Sequence, residues 1–413
     1  MSLIRPFPGL RPVAGRAADV IAPPYDVLNT TEARHRAEGR PFSFLHISKP
    51  EIDLPKDTDA YAPEVYEKGA ENLRHMMAEG VLAVDPEDRY YLYSLTMGDH
   101  TQSGLVAVAS VADYDSNRIR KHEFTRPDKE DDRVRQVDAL NAQTGPVFLT
   151  FRHNDTIDGL MARAMAGAPE VDVTADDGVI HRLWSVADGA LRDALTAAFD
   201  ALDNLYIADG HHRSAAASRV AAMRREANPE HTGTEPYNYF LAVIFPDDQM
   251  KILDYNRVVK DLNGLSAAEF MRRLEERFEV TPADGPARPG APATFGMYLD
   301  GQWYHLALGA EHIPQSDPVG RLDVSLLAAN LIEPVLGITD PRRDRRIDFV
   351  GGIRGLGALE QRVDSGDMKV AFSLHPTGLD DLMAVADAEQ VMPPKSTWFE
   401  PKLADGLVSH LLS

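Results

Sequence analysis

The chain has 413 residues, 44% of them hydrophobic and 26% charged, and carries a formal net charge of −21 at pH 7. That length suits two or more domains with proper cores, and the composition is that of a globular protein. The acidity opposes general binding to nucleic acid, and the lack of any cysteine excludes disulfides, thiolate catalysis and Cys-based metal sites.

No stretch approaches eighteen uninterrupted apolar residues, so no membrane partner is expected. The first residues, Met-Ser-Leu-Ile-Arg-Pro, open no apolar core of signal-peptide length. The expected location is cytoplasmic.

In chain order, the first 40 residues are rich in Pro and Arg. Ala22-Pro23-Pro24-Tyr25-Asp26-Val27 is held extended by its two prolines and reads either as a rigid edge or as a site lining. A helix is predicted over 59–84, closing at Gly80. Strands follow from Arg89 to Met97 and from Ser103 to Tyr114, with a hairpin turn at Gly98-Asp99-His100. Helical patterns return at about 128–142, 155–167 and 186–201, and Phe240 to Phe245 reads as a buried strand. Residues 281–292 are dense in Pro, Gly and Ala and suggest a linker or exposed loop. Beyond them come strands Thr294–Leu299 and Trp303–Leu308, a helix from Asp323 to about Leu336, then strand Lys369–Leu374 and a helix from Leu379 to Ala388. Interleaved strands and helices predict a mixed α/β or α+β architecture.

The most informative stretch is Leu205-Tyr-Ile-Ala-Asp-Gly-His-His-Arg213, running into Ser-Ala-Ala-Ala-Ser-Arg. A short apolar strand ends at Asp209, turns on Gly210 and opens a helix whose first turn carries His211, His212 and Arg213. Free N–H groups and the positive end of the helix dipole meet three potential anion donors there, which suits phosphate. Consecutive histidines lie about 100° apart on a helix, so His211 and His212 are poorly placed to chelate one metal.

A second constellation is Arg118 to Arg133, with Lys121-His122-Glu123-Phe124 before a helix that Pro127 starts. Such a charge run is commonly a solvated helix entrance. Glu123, among cations and beside an aromatic wall, also fits a tuned general base. A third is Val391 to Lys402, where Lys395, Ser396 and Thr397 offer an ammonium and two hydroxyls to a carboxylate or phosphate. Pro394 precedes Lys395 where a Walker A loop needs Gly. Gly355 and Gly357 read as a turn. Arg342, Arg343, Arg345 and Arg346 read either as an anion contact or as an ion-paired surface loop.

Pro23 to Val27, Lys121-His122-Glu123, Ala208 to Arg213, Asp348-Phe349-Val350-Gly351-Gly352 and Pro393 to Lys402 together resemble a family described as domain of unknown function 1015. Three of these motifs are also similar, in the same order, to free L-serine kinases of the ParB/sulfiredoxin superfamily: His-Glu, Asp-Gly-His-His-Arg and a C-terminal Pro-Lys-Ser-Thr.

The resemblance implies a ParB/sulfiredoxin-like nucleotide-binding part over 1–255, with an N-terminal extension and an insertion at about 143–200. A smaller α/β part over 256–413 would close the substrate cleft. It implies a small-molecule kinase using ADP or ATP with magnesium on a free hydroxy amino acid, L-serine first. Glu123 and Asp209 would be catalytic. Gly210, His211, His212 and Arg213 would hold nucleotide phosphates, and Lys395, Ser396 and Thr397 the acceptor. The metal ligands and the oligomeric state are not implied. The alternative is a ParB-like nucleotide-binding or hydrolysing regulator, against which the acidity and the lack of a recognisable helix-turn-helix weigh. Sulfiredoxin-type repair needs a cysteine that this chain does not have.

Overall fold

The predicted hairpin forms around Gly98, whose φ of 63° is easily reached without a Cβ. Tyr90–Met97 and His100–Ser110 pair antiparallel, with Met97 opposite His100. The second strand ends earlier than expected. The Ser110 hydroxyl accepts from the Asp113 N–H and starts the short helix Val111–Asp115.

The computed structural model describes residues 2–413, which divide into two compact units, 2–250 with 401–413, and 251–400. The first is built on a nine-stranded mixed sheet. Its spatial order is Ile119–Arg120, Leu205–Asp209, Val147–Phe151, Tyr239–Pro246, His100–Ser110, Tyr90–Met97, Ile180–Val186 and Val171–Thr174, with Ile4–Arg5 also on His100–Ser110. Val147–Phe151 and Tyr239–Pro246 run parallel and are buried at every position, which explains their unbroken apolar runs. The segment expected as an insertion, 143–200, is therefore not an appendage. It supplies a central strand, two strands at one edge, and the helices Asp155–Ala164 and Gly189–Asp200. Leu191, Leu195 and Phe199 of the latter are buried in the main core beside Phe151, each such side chain stabilising by about 1.5–3 kcal/mol.

The expectation of one continuous C-terminal part from 256 onward differs in its tail. Residues 401–413 belong to the first unit because their backbone is paired there. Leu10 and Ser409 exchange two backbone hydrogen bonds, as do Ala22 and Asp405, and His410–Leu411 pairs with Ala142–Gln143.

The second unit carries a six-stranded antiparallel sheet. Its order is Phe278–Ala283, Gln302–Leu308, Thr294–Leu299, Val370–Leu374, Tyr255–Val259 and Ile347–Gly351. The first of these strands runs into the stretch expected as a loop. The helix expected from Asp323 keeps α geometry only to Leu327 and widens into a π-turn at Ala328–Ile332. The mixed α/β expectation holds. No helix among the described residues is long and apolar enough to cross a membrane.

Candidate active site

The junction at Asp209 takes the expected form. Leu205–Asp209 is a buried strand, Gly210 is left-handed (φ 99°, ψ 28°), and the helix His211–Ala227 starts directly after it. A Cβ at Gly210 would come 3.0–3.2 Å from the guanidinium of Arg213, so glycine is needed for Arg213 to fold back as well as for φ. No side chain caps this helix start. Its electropositive end is left to whatever lies in front of it.

His211 is buried, and two contacts define its ring. Its Nε2 accepts a long hydrogen bond from the backbone N–H of His122, at 3.4 Å, and its Nδ1 lies 3.6 Å from Oε2 of Glu123. With Nε2 accepting, the proton of the neutral ring sits on Nδ1 and faces the carboxylate. Burial, and then the neighbouring His122, hold His211 well below the usual imidazole range. His122 packs edge-on against it, ring centres 4.5 Å apart, and is itself pushed down to about 4 by burial. His211 is thus a buried neutral ring whose Nδ1 lies near the Glu123 carboxylate. The Glu123 side chain is 50% exposed. The apolar wall expected beside it is missing, since Phe124 is 77% exposed.

Asp209 lies between two cations. Oδ2 accepts from Nζ of Lys402 at 3.3 Å, and Oδ1 is 3.9 Å from Nη2 of Arg213. Burial disfavours its charge, but Lys402 and Arg213 outweigh that and hold it well below the ordinary carboxylate range. Asp209 is a permanent anion near neutral pH and cannot serve there as a proton donor. Arg213 also donates to the carbonyl of Pro146 at 2.5 Å. Lys402 is a member of this cluster that sequence reasoning did not single out. The only hint was its place at the end of the Val391–Lys402 motif.

His212 faces the loop that carries Glu123. Its Nε2 accepts from the backbone N–H of Arg126 at 3.0 Å, and burial lowers its affinity for a proton. The ring therefore holds the 121–126 loop against the helix start, with its proton on Nδ1.

Lys395, Ser396 and Thr397 belong to the second unit. Lys395 takes a left-handed turn (φ 60°), its ammonium 5.6 Å from the ring centre of Tyr255 and its carbonyl accepting from Arg257. Ser396 departs from expectation. It is buried, and its hydroxyl donates to the carbonyl of Pro393 at 2.6 Å, closing the turn rather than offering itself to a ligand. Thr397 stays half-buried. The arginine cluster resolves as an ion-paired loop, with Arg342 and Arg343 on Asp340, and Arg346 on Asp344 and Asp261.

Among the described residues no group of three His, Asp or Glu side chains could hold a metal ion. Asp209, the ionised carboxylate at the helix start, is already matched by Lys402 and Arg213. The protein donors do not fit a resident magnesium cage.

The sequence model of a family described as "Protein of unknown function (DUF1015)" matches residues 4–325. No curated protein matches in sequence. Among solved structures the chain is similar to a free serine kinase variant in complex with AMP, at TM-score 0.35 and 14% identity, covering 73% of this chain and 92% of that one. It is also similar to a conserved hypothetical protein from Pyrococcus furiosus (TM-score 0.35, 14% identity, 74% and 95% covered). A third is C-terminally truncated SbnI from Staphylococcus aureus (TM-score 0.38, 11% identity, 74% and 87% covered).

Proposed function

The chain belongs to the DUF1015 family, and from the site at its Asp-Gly-His-His-Arg junction we propose that it transfers a phosphoryl group from ADP or ATP to a free hydroxy amino acid, L-serine first. One observation carries the reading. A carboxylate, Glu123, lies 3.6 Å from a neutral imidazole at the uncapped start of a helix that also carries Arg213 and adjoins Lys402.

Phosphoryl transfer asks mainly for anchored phosphates and a placed base. The helix N–H groups, Arg213 and Lys402 supply positive potential for the phosphates. Glu123 accepts the acceptor's hydroxyl proton, with His211 as its positioning residue. Asp209 holds the two cations in place. Any magnesium would come bound to the nucleotide phosphates and would not be held by a cage of protein ligands.

The test is a phosphorus NMR and mass-spectrometric screen of the pure protein. It offers ADP or ATP with magnesium against hydroxy amino acids and small alcohols. O-phosphoserine from L-serine is the expected product. Nucleotide hydrolysis with no phosphorylated acceptor would overturn the kinase reading in favour of a nucleotide-dependent regulator.

A further inference from the structure

The first unit contains a small pocket that shares only Arg213 with the site above. It is lined by Tyr25, Ser48, Arg133, Thr144, Arg213 and Asp405, among others, with a volume of about 30 Å³. By the same measure one water needs about 10–15 Å³, so the space takes a group of a few heavy atoms and not a nucleotide.

Two of its polar atoms lack partners. Asp405 is 2% exposed and Ser48 6%, yet neither Asp405 Oδ1 nor Ser48 Oγ has a hydrogen-bond partner. Buried polar atoms are almost always paired, and an exception calls for an explanation such as an absent ligand. Facing them are two guanidiniums. Arg133 is fixed by Asp132, which accepts from its Nε at 3.0 Å and Nη2 at 2.6 Å, and it lies 3.9 Å from the ring centre of Tyr25. Arg213 is fixed by Pro146. Each guanidinium has N–H donors beyond these bonds, and such donors suit a carboxylate.

With Asp405 ionised, the pocket offers both signs of charge in one lining. A lone phosphate would meet Asp405, and a lone amine would meet two arginines. A zwitterion satisfies all three. We propose that this pocket binds the ammonium–carboxylate head of a free amino acid, the ammonium on Asp405 and the carboxylate on Arg133 and Arg213, with Ser48 completing the contacts. That the bound amino acid is the phosphoryl acceptor rests on the kinase reading above; that it binds does not.

The experiment is titration calorimetry of the full chain without nucleotide, using glycine, L-alanine and L-serine, with methylammonium and acetate as half-ligands. The three amino acids should bind, and each half-ligand should bind at least about tenfold more weakly. Asp405→Asn should lose at least about tenfold in amino-acid affinity while keeping a cooperative thermal transition. Ser48→Ala, a milder change, should lose a few-fold and serves if the Asn variant does not fold. Glycine and alanine carry no hydroxyl, so their binding is independent of any phosphoryl transfer. The proposal is overturned if no amino acid binds and the pocket holds water only, if acetate matches glycine, or if the folded variants bind as the wild type does.

Discussion

Lys402 Nζ lies 3.3 Å from Asp209 Oδ2, a contact between residues 193 apart in sequence. It ties the C-terminal tail to the end of the strand that opens the candidate site. Asp209, with Arg213 on its other oxygen, thereby keeps two cations beside the helix start.

Lys402→Met should therefore weaken nucleotide binding by about ten-fold or more, since a charge-assisted contact is worth roughly 1.5–3 kcal/mol and each 1.4 kcal/mol is tenfold. The pair is partly exposed, so its loss should cost no more than about 1 kcal/mol of stability. Calorimetry with ADP and ATP checks the first, and denaturant titration the second. An unchanged nucleotide affinity would take Lys402 out of the phosphate cradle.

Glu123→Gln keeps the shape of the side chain and removes its basicity. Turnover should fall by about 10²–10⁴-fold with little change in nucleotide affinity. His211→Ala should also lower kcat, by removing the ring that lies beside the Glu123 carboxylate. His211→Asn, whose amide N–H can stand in for Nδ1–H, should recover part of the loss. A His211→Ala enzyme as active as the wild type would show that the 3.6 Å contact does not position the base.

His212 holds the backbone N–H of Arg126, so His212→Ala should loosen the loop bearing Glu123. The expected outcome is a larger effect on kcat than on nucleotide affinity. The reverse pattern would return His212 to the direct phosphate role read from sequence.

Asp405 is pushed up to about 7 by burial, and Asp26 adds to that; Arg213, Arg133 and the Tyr25 backbone N–H act the other way. Unfolded, the same carboxyl ionises near 3.9. Between about pH 4 and 7 the folded state holds one more proton than the unfolded, so this group's contribution to stability falls as pH rises through that window. The slope is at most about 1.4 kcal/mol per pH unit. Asp405→Asn cannot titrate. Its stability relative to the wild type should rise from pH 4 to 7 and level off above, as read by denaturant melts across pH. A flat difference would mean that Asp405 is ionised in the folded protein throughout.

In the second unit, Ser396→Ala should cost about 1 kcal/mol of stability, because its hydroxyl serves the Pro393 carbonyl. Denaturant titration checks it, and an unchanged midpoint would show that the turn does not depend on that hydrogen bond.

The sequence by itself determined what depends on neighbours along the chain. The hairpin at Gly98, the stop of strand Leu205–Asp209, the left-handed Gly210 and the helix from His211 follow from apolar runs and from where a backbone needs glycine. The tertiary structure decided what depends on pairing between distant segments. It placed Val147–Phe151 in the middle of the main sheet, carried residues 401–413 back to the first unit, and so brought Lys402 to Asp209 and Asp405 to the pocket. It also buried His211 as a neutral ring beside Glu123 and turned Ser396 inward. Burial and hydrogen-bond partners fix those states, and a one-dimensional pattern carries neither.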